Sequence, residues 1–241
     1  KFENIKKISF LFFPFLILTI PFIFVVMQPD LGTSLSILIL GVFILFLAGI
    51  RLWKFLLGFT VIIISIPLFL RFIKPYQRDR VISFLDPESD PLGQGYQLIQ
   101  SKIALGSGGG TGKGFLQGTQ SYLEYLPEKQ TDFIFTLIGE EFGFLGTIFI
   151  IFLFILLIGV CYFISIKCFH VFGRIIALGV ASNIFIYVFM NIAMVSGLMP
   201  VVGIPLPLIS YGGSVMLSIM ISIGLVLNVE LNYNLKKFNN A

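Results

Sequence analysis

PEKQTDFIFTLIGEEFGFLGTIFIIFLFILLIGVCYFISI, residues 127–166, passes within a few positions from a charged turn to almost unbroken hydrocarbon. From Phe133 to Ile164 the run suits a helix crossing the ~30 Å apolar layer of a bilayer. It is too long to stand upright there, so it is predicted to tilt or to begin outside the lipid. Five further apolar runs follow the same logic: Ile8–Met27, Ser34–Ile50, Trp53–Phe72, Ile175–Val195 and Leu206–Val229. The reading is an all-α polytopic membrane protein with six transmembrane helices. Of the 241 residues 57% are hydrophobic, 28 are Phe and only 12% are charged. Soluble domains carry roughly one quarter charged residues, so soluble and disordered classes are excluded. Short alternating segments, the signature of a membrane barrel, are missing.

The net charge of +4 is a topology signal rather than a nucleic-acid footprint, because the basic residues sit at the ends of apolar runs. Lys6 and Lys7, Arg51 and Lys54, Lys167, His170 and Arg174, and Lys236 and Lys237 all fall on one side of a six-span arrangement. The short loops around Asp30 and Val201 carry no Lys or Arg. The positive-inside rule then places both termini in the cytoplasm and the polar segment 75–131 outside. The expected organisation is three spans in 1–74, a large extracellular loop with short surface helices in 75–131, three spans in 132–230 and a cytoplasmic tail in 231–241. Cys161 and Cys168 lack metal-ligand spacing and read as ordinary small residues. No cleavable signal peptide is apparent. The chain begins with Lys1 rather than Met, which suggests a fragment.

The polar segment carries too many aromatic and aliphatic residues for a flexible spacer, among them Tyr96, Leu98, Ile103, Phe115 and Leu126. Gly95–Leu105 is predicted as an amphipathic helix lying along the membrane surface, and Gly106–Gly114 as a turn-rich stretch. That glycine stretch superficially resembles a phosphate loop, but it fails the GxxxxGK[ST] pattern at Ser107 and Gly114. Two readings remain for it: a tight set of turns, or backbone amides approaching a phosphate.

Asp132 is the sharpest candidate. A carboxylate at the lip of an apolar bundle is desolvated, which suits a general base. The alternative is a helix N-cap, a role Thr131 can fill alone. Glu140 and Glu141, two turns deeper, are expected to be structural: two adjacent acids inside a span pair with polar groups or hold a loop. Asp30, in QPDLGTS, is by default a cap of the second span and also lies near the outer face. Residues 196–213 hold Pro200, Pro205, Pro207 and several glycines. Such broken backbone at membrane depth must be buried or line a cavity, to which Ser210, Tyr211 and Ser214 offer hydroxyls. Arg78, Arg80, Lys102, Lys113 and Lys129 are candidates for binding anionic headgroups or diphosphates. His170 is cytoplasmic and without an evident catalytic part. No metal-ligand set is identified.

Taken together, QPDLGTS (28–34), KPYQRDRVISFLDPESDPLGQGYQLIQSKIALGSGG (74–109), GKGFLQGTQSYLEYLPEKQTDFIF (112–135), GEEFG (139–143) and NIAMVSGLMPVVGIPLPLISYGGS (191–214) resemble the SEDS family (shape, elongation, division and sporulation). GFLQGTQSYLEYLPE is similar to its elongation and rod-shape branch. The resemblance implies a ten-helix bundle of which this chain matches helices 5–10. The family's functional acid and lysine on the fourth helix then have no counterpart here, and the fragment is expected to be incomplete for activity. It implies a peptidoglycan glycosyltransferase in the cytoplasmic (inner) membrane that polymerises lipid II outside that membrane. Its implied partners are a class B penicillin-binding protein and other elongation-complex membrane proteins, with no nucleic acid. Asp132 matches the family's essential aspartate, and Gln130 stands where members commonly carry His. A divalent cation, Mg or Mn, is compatible with the chemistry. A lipid-linked precursor flippase or transporter and a non-enzymatic scaffold for the penicillin-binding protein are the rival readings.

Overall fold

The computed structural model describes residues 12–28, 30–50, 53–57, 60, 75–90, 93–122, 126 and 128–239. Most of the predicted third span, Trp53–Phe72, lies outside these residues. The chain divides into two compact units, Lys1–Asp79 and Arg80–Ala241.

In the first unit, helices α1 (Phe12–Met27) and α2 (Leu31–Leu47) pack together. The buried face of α2 is small: Gly32, Ser34, Ser36 and Gly41. Small residues let helices approach closely where lipid supplies no hydrophobic drive. The contact is intimate, for a β-carbon on Gly41 would stand 2.0 Å from Leu18 Cδ1. The two buried serines need no distant partner. Ser34 Oγ donates to Leu31 O and Ser36 Oγ to Thr33 O. Phe12, Phe13, Phe15 and Phe24 of α1 are exposed, as suits a lipid-facing surface.

Helix α3 (Pro75–Leu85) leads into the second unit, and a 3-10 turn at Pro87–Ser89 follows. Then come α4 (Gln94–Ser107), α5 (Thr119–Tyr122), α6 (Ile134–Lys167), α7 (Val171–Val195) and α8 (Gly213–Asn239). Helices α6, α7 and the Gly213–Tyr233 part of α8 are long and apolar enough to cross a membrane, while α1 and α2 are shorter apolar helices. The most buried is α7, which packs against both α6 and α8 and buries Ala177, Ile184, Met190 and Met194 among others. The predicted amphipathic helix is present as α4. Its buried face of Gly95, Leu98, Ser101 and Ala104 lies in the second unit, where α4 packs on α6 and α7. Ser101 Oγ donates to Val195 O at 2.8 Å, so the 2.8 Å contact with Thr136 Oγ1 takes its proton from the threonine. One buried hydroxyl pair thus ties three helices.

One sequence expectation requires correction. The sixth span does not start at Leu206: residues 201–212 are not helical, and α8 begins at Gly213. Pro205 and Pro207 have no amide hydrogen to give an intrahelical ladder, although their neighbours are apolar enough to read as a span. The fourth span, expected to tilt or to begin outside the lipid, is interrupted. At about 1.5 Å per residue its 34 residues would reach about 50 Å, but the helix breaks at Gly143, where φ is 66° and ψ is −161°.

The break exposes backbone groups that an intact helix would pair. The glycine-rich stretch after α4 pairs them instead. Lys113 N donates to Glu140 O and Gly114 N to Glu141 O, each at 3.0 Å. From the other side of the break, Phe144 N donates to Gly109 O at 2.9 Å and Leu145 N to Gly110 O at 3.1 Å. The approach leaves no room for side chains. A β-carbon on Gly108 would stand 1.9 Å from Gly139 O, and one on Gly112 2.1 Å from Glu141 O. The structure gives the glycine stretch a role of its own: it is a strap over a helix break, and the amides of Gly112, Lys113 and Gly114 are all engaged by protein carbonyls.

A carboxylate fixes the corner between α3 and α4. Asp90 Oδ2 accepts from Ser83 Oγ at 2.9 Å and from Gly95 N at 3.4 Å. The Ser83 hydroxyl, outweighing desolvation and helped by the amides of Gly95, Gln94 and Gly93, holds this carboxyl below its ordinary value of 3.8. A depressed carboxylate pKa contributes stability that is present above the unfolded value and lost as pH falls through the folded one. The corner should therefore hold above about pH 4 and loosen in more acid solution. Ser83→Ala should move that loosening to higher pH, read by amide hydrogen exchange of Gly93–Gly95. Gly143→Ala should lower thermal stability by about 1–3 kcal/mol, since its φ/ψ region is open essentially to glycine alone. Gly159→Ala, where a β-carbon meets nothing within 4 Å, should be neutral or mildly stabilising. Melting in detergent separates the two.

Candidate active site

The turn 128–133 brings the chain into α6. Phe133 occupies the cap position, with Leu137 N donating to its carbonyl at 3.2 Å. Neither Asp132 nor Thr131 is therefore the N-cap. Thr131 Oγ1 turns back to Glu128, donating to Oε2 at 2.9 Å. Phe133 is 1% exposed and anchors the turn, while Asp132 stays half-buried at its edge.

Three consecutive carbonyls of this turn are held from α7 and the loop that follows it. Tyr211 N donates to Gln130 O at 2.9 Å. Ser210 Oγ donates to Thr131 O at 2.6 Å while accepting from Leu206 N at 2.7 Å. Asn191 Nδ2 donates to Asp132 O at 2.8 Å and to Ile204 O at 2.7 Å. The loop passes so close that a β-carbon on Gly203 (φ 73°) would stand 3.2 Å from Asp132 Oδ2. The carboxylate thus lies beside bare backbone. The buried residues Val201, Val202, Ile204 and Leu206 fix the loop beneath it. Such an arrangement presents one oriented acid-base group at the head of an apolar helix, next to a wall with no side chain to crowd a bound molecule.

The other candidates are distributed differently. Ser210 lies in this cluster, but its hydroxyl is engaged by backbone groups on both sides. Tyr211 contributes its amide, and its side chain is 78% exposed. Lys102 is exposed on α4 and lies over the loop: a β-carbon on Gly197 would stand 1.9 Å from its Cε. Lys113 instead pairs with Glu140 at 2.8 Å. Glu140 Oε1 also accepts from Thr119 Oγ1 at 3.1 Å and Gln120 N at 3.0 Å, so this buried acid fastens α5 and the strap to α6. Glu141 is buried beside it, its carbonyl engaged by the strap. Arg80 is half-buried, with Nη1 buried and unpartnered among the described residues. Lys129 is half-buried in the turn before Asp132. Arg78 is exposed and, with Asp30, belongs to the first unit. Asp30 caps α2, accepting from Thr33 N at 3.0 Å and Thr33 Oγ1 at 2.6 Å.

Sequence reasoning did not single out Asn191 or Gly203. Asn191 was visible as a lone amide in the apolar run IYVFMNIAMV, a costly side chain to bury without partners. Gly203 gave no such signal, because its role depends on a contact with residue 132.

Fold and site together define a polytopic helical membrane protein with an oriented carboxylate at the head of one span. Comparison with known proteins narrows this class. The family described as cell cycle proteins, that of FtsW, RodA and SpoVE, matches residues 3–235. The chain belongs to this family, the SEDS proteins. It is 50% identical over 213 residues to the peptidoglycan glycosyltransferase MrdB of Escherichia coli K12, covering 87% of this chain and 57% of that protein. It is 40% identical over 229 residues to the probable peptidoglycan glycosyltransferase FtsW of Geobacter sp. strain M18, covering 95% of this chain and 62% of that one. The chain therefore spans roughly three fifths of these curated relatives. Among solved structures, a chain of a peptidoglycan synthase complex superposes with a TM-score of 0.77 at 33% identity, covering 95% of this chain and 63% of that one. A mutant of the rod shape determining protein RodA of Thermus thermophilus gives 0.62 at 23% identity, covering 96% and 62%, and supports the fold alone.

Removing one partner of the Lys113–Glu140 pair strands a buried acid. Lys113→Met should destabilise by up to about 3 kcal/mol. The double variant Lys113→Met/Glu140→Leu should lose less than the sum of the single changes. A thermal-unfolding cycle checks this, and strict additivity would remove the pair from the strap's anchorage.

Proposed function

We propose that this chain is the part of a SEDS peptidoglycan glycosyltransferase that carries the general base, and that the whole protein polymerises lipid II into glycan strands on the outer face of the inner membrane for cell elongation. The observation that carries the reading is Asp132: a carboxylate at the head of a span, with its backbone held on three consecutive carbonyls. Family membership and the 50% identity to a peptidoglycan glycosyltransferase support it. The charge pattern supports an outer location for the turn that bears Asp132.

In this mechanism Asp132 accepts the proton of the C4 hydroxyl of the acceptor N-acetylglucosamine. The oxygen forms a bond to C1 of the donor N-acetylmuramic acid, and the bond from C1 to the undecaprenyl diphosphate oxygen breaks. The α-linked donor becomes a β-linked product by a single inversion, so one base and a stabilised leaving group suffice, with no covalent enzyme intermediate. Lys102, exposed beside the loop, Arg80 and Lys129 are the second unit's candidates to offset the diphosphate charge. Lys113 is a weaker one because Glu140 already holds it. The described residues contain no cluster of three or more His, Cys, Asp or Glu groups. A divalent cation, Mg or Mn, would then be held mainly by the diphosphate, as Mg commonly is, and the proposed step does not run through it. The likeness to a chain of a peptidoglycan synthase complex supports a class B penicillin-binding protein as partner.

Glycan synthesis from purified lipid II, using the complete protein with its transpeptidase partner, tests the reading. Asp132→Asn should reduce polymer formation by at least about a hundredfold while the protein still assembles with its partner. Equal polymer from both proteins would leave the scaffold or transporter reading in its place.

A further inference from the structure

We propose that Asn191 is the positioning residue of the site: its amide sets where the Asp132 carboxylate stands relative to the loop wall at Gly203. The inference rests on Asp132 being the base.

Asn191 is fully buried in α7. Its single nitrogen carries two hydrogens, and both are used, one on Asp132 O and one on Ile204 O. One accepting carbonyl belongs to the residue that bears the carboxylate, and the other to the neighbour of Gly203, which faces that carboxylate. One planar, rigid group therefore spaces the two walls of the site. Two donations to carbonyls also identify the nitrogen, because the flipped amide would set oxygen against oxygen. Its Oδ1 has no partner among the described residues, and leaving a buried acceptor unpaired is unfavourable. Core packing alone would favour an apolar residue here.

Bonds from the loop hold other carbonyls of the turn. Tyr211 N and Ser210 Oγ hold Gln130 O and Thr131 O, which fixes the direction in which the chain enters α6. Neither bonds the Asp132 carbonyl itself: Ser210 Oγ holds the peptide on the N-terminal side of Asp132, and on its C-terminal side Phe133 N donates to Glu128 O at 3.2 Å within the turn. Without Asn191, Asp132 O and Ile204 O face each other with no donor between them, and the carboxylate and the Gly203 wall move apart. A displacement of about 1 Å in a reacting group can lower a rate by up to about a hundredfold.

The test is Asn191→Leu in the complete protein with its transpeptidase partner, compared with Val188→Ala. Val188 is buried on the same helix, has no hydrogen-bonding side-chain atom and serves as a control for lost packing. Both variants should melt earlier than the wild type. Asn191→Leu should lower kcat for glycan synthesis from lipid II by about tenfold to a hundredfold with KM within about twofold, because substrate contacts remain. Val188→Ala should keep kcat within about twofold. If Asn191→Leu keeps wild-type kcat while Asp132→Asn is inactive, the positioning role falls and the base assignment stands. If Val188→Ala loses kcat in step with its melting temperature as Asn191→Leu does, the effect is general destabilisation and the positioning role also falls. If Asp132→Asn is fully active, the base assignment fails and takes the positioning role with it.

Discussion

The second unit depends on one constraint: a backbone amide or carbonyl without a partner is very unfavourable where water is scarce. Breaking α6 at Gly143 would leave such groups on both sides of the break. The strap after α4 supplies acceptors on one side and donors on the other, four bonds in all. This gives the run of glycines a structural reason. Backbone must lie directly on backbone, and a β-carbon at Gly108, Gly112 or Gly143 would collide. The Glu140 cluster belongs to the same solution, adding side-chain fastening where the strap leaves α6 for α5.

The same constraint shapes the site. The loop 201–212 cannot be helical because of its prolines, yet Val201, Val202, Ile204, Leu206 and Ser210 in it are buried. Its polar groups must find partners, among them the carbonyls of Gln130 and Thr131 and the Asn191 amide, which bridges Ile204 O to Asp132 O. The acid is therefore oriented by the same bonds that make an irregular loop tolerable at that depth. Packing and orientation are one set of contacts here.

How much of this was legible in the sequence follows from the range of the forces involved. Apolar runs are local, so the helices expected over Phe133–Ile164 and Ile175–Val195 were found, as α6 and α7, and so were the amphipathic α4 and the Asp30 cap. Local reading failed where composition and hydrogen-bonding capacity disagree. Leu206–Gly212 is apolar enough for a span, but Pro205 and Pro207 deny it a ladder. It also failed where a residue's reason lies far along the chain. Gly143 looks like any glycine in a membrane helix until Gly110 and Gly112 are seen against it. Asp132 stood out because a charge at a hydrocarbon edge is conspicuous alone. Its supports did not, because Asn191 and Gly203 acquire their meaning only through contact with residue 132.

The break at Gly143 has a consequence for how the two ends of α6 are related. In an uninterrupted helix the azimuth of every residue is fixed by the count of residues between them, about 100° for each. A change in how the membrane-facing half rolls against lipid would then swing Asp132 around the axis with it. With the ladder interrupted, the nine residues from Ile134 to Phe142 take their azimuth from the strap, α4 and α7. Because the strap also bonds Phe144 and Leu145 beyond the break, it is this separate piece of chain, and not a residue count along one helix, that sets the azimuth of the acid against the long apolar half.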